Sequence, residues 1–269
     1  MSRQLQPKLK WVLDQVPQGQ LIDTPTLKSH GVTRQLVHKY IQSGWLTPVI
    51  RGLYRRAPGA ENAAENTLEW RTVVHSLQAV MGYDCVIGGR TALEEQGLRH
   101  YVPLGGEAQV HLYGDDHPGW LKRLSGPTDY VLHNAALFDG TIAETADVQS
   151  ASGPLRCSSP ERAILEMLDE LPKGESFHMA DMAFEGLASA RPKRLAHLLK
   201  HCTSIKVKRL FFVFADRHNH AWRKHLNADE YDLGAGPRAL VKGGKIHPRY
   251  KISVPEDYLP KNEGADDGP

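Results

Sequence analysis

The segment QLIDTPTLKSHGVTRQLVHKYIQSGWLTPVIRGLYRR, residues 20–56, carries the pattern of two short helices, a tight turn between them and a two-stranded wing. Thr24 is placed to cap the first helix, Pro25 suits its first position, and Leu27 faces inward. Gly31-Val32 supplies the short turn of a helix-turn-helix unit. The second helix starts at Thr33. At 100° per residue Leu36, Val37, Tyr40 and Ile41 share one side, and Arg34, Gln35, His38, Lys39 and Gln42 share the other. Gly44 closes that helix in the left-handed conformation. Trp45 to Tyr54 then reads as two short strands with Gly52 near the tip of the wing.

The projecting side chains have the chemistry of DNA recognition. Arg34 and Lys39 can donate to guanine or phosphate, Gln35 can pair with an adenine edge, and a helix beginning at Thr33 turns its free N–H groups toward a phosphate. Arg51, Arg55 and Arg56 extend the surface along the wing, and His38 lies on the same helix face. The blander reading is a small three-helix module whose basic face is simply solvated. Local charge favours DNA: residues 1–60 carry nine Lys or Arg against two acidic side chains, +7, whereas the whole chain is only +2. Residues 61–190 carry eight against twenty, −12, and residues 191–269 sixteen against nine, again +7. Such asymmetry implies separate tasks for the two ends and the middle.

At 269 residues and 41% hydrophobic content the chain holds enough material for two cores. It has no run of the ~18 apolar residues that a membrane helix needs, and MSRQLQPKLKW lacks the apolar centre of a signal peptide, so a cytoplasmic protein is expected. Cys85, Cys157 and Cys202 are far apart and form no CxxC pair, which favours buried thiols over a disulfide or zinc framework.

Outside the opening segment, Leu9, Val12, Leu13 and Val16 give a helix over 8–16, and Leu21-Ile22 a strand that pairs with the wing. Linker composition at 57–62 sets a boundary, dividing the chain into a winged helix-turn-helix domain at 1–58, a larger mixed α/β domain at 59–260 and a disordered tail at 261–269. The fold class is thus α+β. In the second part helices are expected over 65–81, packing between the domains, and over 91–96, 177–186 and 194–200. Strands are expected at 83–87, 110–113, 130–133 and 250–254, alternating with helices in the first half of the domain. SSPERAILEMLDEL, 158–171, is the clearest helix, capped by Ser159, with Pro160 first and Ile164, Leu165, Leu168 and Leu171 as its buried stripe. KRLFFVF, 208–214, reads as a strand or as the start of a buried helix.

GWLTPVIRGLYRR, GGRTALEEQGLRHYVPLG, SSPERAILEMLDELP, SIKVKRLFFVFADRHNHAWRKHL and LGAGPRALVKGGKIHPRYKISVP, in this order, resemble an AbiEi-type antitoxin, the regulator half of a type IV toxin–antitoxin pair of bacterial phage defence. The resemblance implies an N-terminal domain that represses its own operon at inverted repeats in operator DNA. It also implies a C-terminal domain that counters a nucleotidyltransferase toxin, AbiEii-like, without a stable toxin–antitoxin complex. It implies no catalytic residue and leaves the residues of antitoxicity unassigned.

The patterns that suggest chemistry are weak. Gly88-Gly89-Arg90-Thr91 matches neither GxxxxGK[ST] nor GxGxxG. His197 and His201, at i and i+4 beside Cys202, lack a third ligand. Arg217-His218-Asn219-His220 gains nothing from contiguity, and Asp181 and Glu185 share a helix face as solvated carboxylates commonly do. No cofactor, metal or enzymatic activity is expected. Lys206, Lys208 and Arg209 are read as a second polyanion-binding surface, for tRNA or DNA, with the neighbouring Phe211, Phe212, Phe214 and Trp222 as core. Two alternatives from other classes are a winged-helix regulator with a ligand-sensing C-terminal domain and a nucleic-acid-processing enzyme. Ligand-dependent operator release would mark the first, and a paired Asp/Glu cluster with a lysine the second.

Overall fold

A computed structural model of the chain describes residues 7–57, 68–98, 108–134, 136–140 and 144–260. All of the expected linker at 57–62 but Ala57, and the tail at 261–269, lie outside the described residues. The chain divides into two compact units: one is drawn from 1–87, 105–133 and 147–156, the other from 88–104, 134–146 and 157–269.

The first unit begins with helix α1 (Pro7–Gln15), strand β1 (Leu21–Asp23), helices α2 (Thr24–Ser29) and α3 (Arg34–Gln42), and strands β2 (Leu46–Ile50) and β3 (Leu53–Arg56). The strands form an antiparallel sheet in the order β1-β3-β2, with Leu21 opposite Arg55 and Leu46 opposite Arg56. Val12, Val16, Ile22, Leu27, Val32, Val37, Tyr40 and Leu46 make one buried cluster that joins α1, α2, α3 and the sheet. This is a helix-turn-helix with a β-wing, as the spacing of these residues predicts.

The cap of α2 differs from expectation. Asp23, fully buried at the end of β1, accepts the N–H of Thr26 at 3.0 Å, whereas the Thr24 hydroxyl turns to the Gly52 carbonyl at 3.2 Å. A carboxylate cap satisfies a free helix N–H and also suits the positive end of the helix dipole. The other oxygen of Asp23 accepts from the Tyr83 hydroxyl at 2.8 Å and from the Trp120 indole N–H at 3.1 Å. One buried side chain thus ties the start of the helix-turn-helix to two later segments of the same unit.

Helix α4 (Trp70–His75) runs into a π-helical turn at Ser76–Val80 that packs on β1, so this element belongs to the first unit, within the region expected to be helical over 65–81. The Ser76 hydroxyl accepts the N–H of Leu21 at 2.9 Å and donates to the Gln20 side-chain carbonyl at 2.6 Å; His75 Nδ1 lies 3.2 Å from that same oxygen. Strands β4 (Val86–Ile87), β5 (Ala108–Tyr113), β6 (Thr128–His133), β7 (Thr145–Ser150) and β8 (Gly153–Ser158) form a sheet in the order β6-β5-β4-β8-β7. Only Val86 and Ile87 of the strand expected at 83–87 are paired, because Tyr83 to Cys85 close turns onto Leu77 and Tyr83. β5 and β6 are parallel, yet the connection between them holds only a 3-10 turn at Leu121–Arg123. The alternation of strand and helix expected there breaks between β5 and β6, and β7 and β8 lie outside the expected strands.

The second unit is mainly helical: α5 (Gly89–Glu95), α6 (Pro160–Glu170), α7 (Phe177–Gly186), α8 (Pro192–His201) and α9 (Ile205–His218), followed by the short antiparallel pair β9 (Lys245–Ile246) and β10 (Ser253–Val254). α6, capped by Ser159, packs on each of the other four helices. The ambiguous KRLFFVF run is the middle of α9, in which every residue from Val207 to Ala215 is buried. A helix apolar on all sides belongs at the centre of a bundle, which is why its sequence shows no amphipathic period.

Candidate nucleic-acid interface

Thr33 caps α3 through its hydroxyl, 3.4 Å from the N–H of Leu36. The preceding turn uses Gly31 at φ 70°, with its N–H on the Lys28 carbonyl and the Val32 N–H on the Leu27 carbonyl, both at 2.9 Å. The Lys8 ammonium closes the turn from α1 by donating to the Gly31 carbonyl at 2.6 Å. Val37 and Tyr40 are buried, so α3 has one permitted rotation, and in it Thr33, Arg34, Gln35, His38, Lys39 and Gln42 are all exposed. Gln42 and His38, one helical turn apart, are hydrogen-bonded at 3.1 Å. The exposed row therefore holds two cations, two amides and an imidazole on a helix that its core residues prevent from rolling.

The wing begins with β2 after Gly44, at φ 75°, and Trp45, which is 40% exposed beside the end of α3. Arg51 is exposed at the tip, where Gly52 adopts φ 89° and its carbonyl is bound by the N–H of Thr24 at 2.9 Å. Arg55 and Arg56 behave differently. The Arg55 Nε donates to the Gly19 carbonyl at 3.0 Å, and the Arg56 guanidinium donates to the carbonyls of Leu13 and Val16 at the C-terminal end of α1. The Arg56 acceptors are ones that a helix end leaves unsatisfied. Both side chains are only partly exposed; Arg56 holds the wing to the end of α1 and Arg55 holds it to the turn at Gly19.

Lys206, Lys208 and Arg209 do not make an outer surface. Lys206 donates to the carbonyls of Asp169 and Leu171 at the end of α6 and pairs with the Asp169 carboxylate at 3.1 Å. Lys208 is 6% exposed and Arg209 2%. The Arg209 guanidinium donates to four carbonyls, those of Leu233 (2.6 Å), Gly236 (2.9 Å), Lys251 (2.8 Å) and Gly234 (3.1 Å). Its charge is spread over backbone oxygens, and desolvation holds its pKa below the ordinary arginine value. The adjacent Phe211, Phe212, Phe214 and Trp222 are buried, so the aromatics are core.

The remaining candidate groups have internal partners. The Gly89 N–H at the start of α5 donates to the buried Glu166 carboxylate at 2.9 Å, which also accepts from Ser158 at 3.0 Å and Arg162 at 2.7 Å. The place a phosphate oxygen would take in Gly88-Gly89-Arg90-Thr91 is thus filled by a side chain. His201 is 2.6 Å from Asp139, while His197 lies 3.9 Å from Glu144. Among the described residues no group of three or more His, Cys, Asp or Glu side chains could hold a metal ion. Asp181 receives both Arg217 and His218, at 3.0 and 2.7 Å, and His220 meets the Phe184 carbonyl at 2.7 Å. Cys85, Cys157 and Cys202 are buried free thiols, and burial pushes the pKa of Cys85 and of Cys202 up to about 11. No helix of the described residues is long and apolar enough to cross a membrane.

Comparison with known proteins agrees along the chain. Residues 5–104 match the family described as "Transcriptional regulator, AbiEi antitoxin N-terminal domain", and residues 107–255 match "Transcriptional regulator, AbiEi antitoxin, Type IV TA system". No curated protein matches the sequence. Among solved structures, the crystal structure of the Rv2827c protein from Mycobacterium tuberculosis is similar with a TM-score of 0.57 at 14% identity, over 93% of this chain and 92% of that one. At that identity the likeness concerns the fold. Residues 5–104 and 107–255 together span nearly the whole sequence, and the chain belongs to the AbiEi family of antitoxins and transcriptional regulators of type IV toxin–antitoxin systems.

Proposed function

We propose that this protein represses its own operon by seating α3 in the major groove of operator DNA at inverted repeats, using residues 1–58 as the reading segment. Arg34, Gln35, His38 and Lys39 face the bases and phosphates, Thr33 offers the helix start to a phosphate, and Arg51 reaches the backbone from the wing tip. Arg55 and Arg56 support the wing from beneath. The observation that carries this reading is the exposed Arg34–Gln35–His38–Lys39 row on a helix whose other face, Val37 and Tyr40, is buried. Two copies on an inverted repeat would place their α3 helices about one duplex turn, ~34 Å, or a multiple of it apart. The second half of the reading is that the protein relieves the toxicity of a nucleotidyltransferase-type, AbiEii-like partner without forming a stable complex, as a cytoplasmic phage-defence pair. Family membership supports this half.

Two measurements test it. Binding of the purified chain to the promoter fragment of its operon, followed by fluorescence anisotropy, should weaken on Arg34→Ala by about 1–3 kcal/mol at one base position if Arg34 reads a base, and evenly over all sequences if it holds a phosphate. Unchanged affinity in the Arg34→Ala/Lys39→Ala double variant refutes the interface. Growth of a bacterium expressing the adjacent gene alone, then with this protein, reads the antitoxin half, and persistent arrest in the second case refutes it.

A further inference from the structure

Beyond its helices the second unit carries an exposed basic segment. Residues 233–255, LGAGPRALVKGGKIHPRYKISVP, contain no Asp or Glu, and Arg238, Lys242, Lys245, Arg249 and Lys251 in that stretch are all exposed. Lys245 lies in β9, Arg238 bridges to Ile252, and Lys242, Arg249 and Lys251 lie in the segments that flank the β9–β10 pair, in which Ile246 is opposite Ser253. Lys245 pairs with Glu256, and Arg249 with Asp216 at 3.4 Å. Among the described residues no carboxylate forms an ion pair with Arg238, Lys242 or Lys251.

The base of this patch is held from inside. The four carbonyls on which Arg209 converges, from Leu233, Gly234, Gly236 and Lys251, belong to the two segments that carry the exposed cations. Lys251 is one of two non-glycine residues at positive φ, 49°, among the described residues. Its N–H donates to the His247 carbonyl at 2.9 Å, and its own carbonyl accepts from Arg209 and from the Arg238 N–H, each at 2.8 Å. A lysine kept left-handed by three bonds costs on the order of 1 kcal/mol of backbone strain, and such positions cluster where a ligand is clamped. The scaffold is rigid while the charged ends remain in solvent.

The composition of the patch narrows its partner. Protein interfaces are depleted of lysine at their centres and rich in apolar side chains, whereas this segment exposes five cations and one large hydrophobic residue, Ile246. No aromatic ring is offered for base stacking, since Tyr250 is buried and bonded to Asp216. β9 and β10 pair over two residues each, too short a ribbon to enter a DNA major groove. Cations on irregular turns match phosphates on an irregular path, which is what a folded RNA presents.

We propose that Arg238, Lys242 and Lys251, with Lys245 and Arg249 beside them, bind the phosphodiester backbone of folded RNA through a surface separate from α3. The surface contacts phosphates without reading bases, and it does not depend on the operator reading given above.

The experiment uses the full chain, a synthetic RNA stem-loop of arbitrary sequence, the DNA stem-loop of the same sequence, and the operator duplex. The variant is Arg238→Ala/Lys242→Ala/Lys251→Asn, in which asparagine tolerates the left-handed backbone. Its RNA affinity should fall at least tenfold at low salt, and the slope of log affinity against log salt should flatten by about 2–3, the loss of three phosphate contacts. Lys242→Glu alone, in an exposed turn, should weaken RNA binding severalfold with the melting temperature unchanged. Operator affinity, read in parallel, is expected to survive both and to fall in Arg34→Ala/Lys39→Ala, which should leave RNA binding intact. The proposal is overturned if the wild-type chain does not bind the RNA, if the triple variant binds it equally well, if the DNA stem-loop is held as tightly, or if RNA binding disappears with the α3 variant.

Discussion

Replacing Arg209 by methionine separates a buried scaffold from a binding surface. The side chain is 2% exposed and makes four hydrogen bonds of 2.6 to 3.1 Å to carbonyls of residues 233–251. A bond to a charged group contributes about 1.5–3 kcal/mol, and bonds that share one guanidinium are not additive, so the loss is bounded below by one or two such bonds and above by their simple sum. Methionine keeps most of the apolar stem but leaves the Leu233, Gly234 and Gly236 carbonyls without this donor. The expected loss is about 3–5 kcal/mol, or roughly 6–20 °C in melting temperature for a body of this size. Arg209→Lys should recover only part of it, because an ammonium cannot span four acceptors as a planar fork does. Urea and thermal unfolding by circular dichroism measure the loss, and hydrogen exchange of the α9 amides assigns it to this unit. A loss below about 1 kcal/mol, or reduced nucleic-acid affinity with full stability, would falsify the scaffold role and return Arg209 to the surface.

Three further outcomes follow from the first unit. Arg56→Leu removes the donor to the Leu13 and Val16 carbonyls and should lower stability by about 1–3 kcal/mol, with operator affinity recovered once the folded fraction is allowed for; a specific affinity defect in a fully stable variant would contradict this. Asp23→Ala strips the cap of α2 and the shared acceptor of Tyr83 and Trp120, for an expected cost of about 2–4 kcal/mol and a change in near-ultraviolet dichroism. Burial lowers the pKa of His75 from its ordinary 6.5, so the folded unit keeps the ring neutral while the unfolded chain takes up a proton. His75 thus contributes nothing unfavourable above that pH, and stability should fall as the pH drops below about 6.5 toward the lowered folded value. His75→Gln should flatten that slope in exchange protection of the first unit, and an unaltered slope would show the ring to be uninvolved.

How far the sequence could be read depends on how local the deciding interaction is. α3 and the wing were legible because a 3.6-residue period, a Thr cap and glycines at 31, 44 and 52 act within a few residues of each other. α9 is legible only as one of two alternatives, strand or buried helix, since a helix buried on all sides has no polar face to reveal its period. β7 and β8 do not stand out because TADVQS and GPLRCS lack a run of branched or aromatic residues; β8 gains its place from β4, far back in the chain, and β7 from β8. The cap of α2 was misplaced by one residue, as Thr24 and Asp23 both suit that role and Tyr83 and Trp120, far along the chain, favour the carboxylate. Charge deceived most. Arg55 and Arg56 looked like contacts for DNA, and Lys206, Lys208 and Arg209 like a second surface, but composition does not show which carbonyls lie within reach. The Arg34 row differs from these in being exposed.

The path of the chain through its two units limits how the protein can be dissected. It passes from the first to the second between Ile87 and Gly88, returns before Ala108, leaves again after His133, comes back at Asp147 and departs after Arg156. No single cut releases either unit whole. A truncation at the expected boundary near residue 58 would strip β1 and the winged core from α4, the π-helical turn and the Asp23 partners, exposing their apolar faces. Loss of rescue in such a fragment would then report misfolding as readily as a missing activity. In this architecture a genetic dissection built on shortened genes would confound a lost activity with a lost fold, which point substitutions avoid.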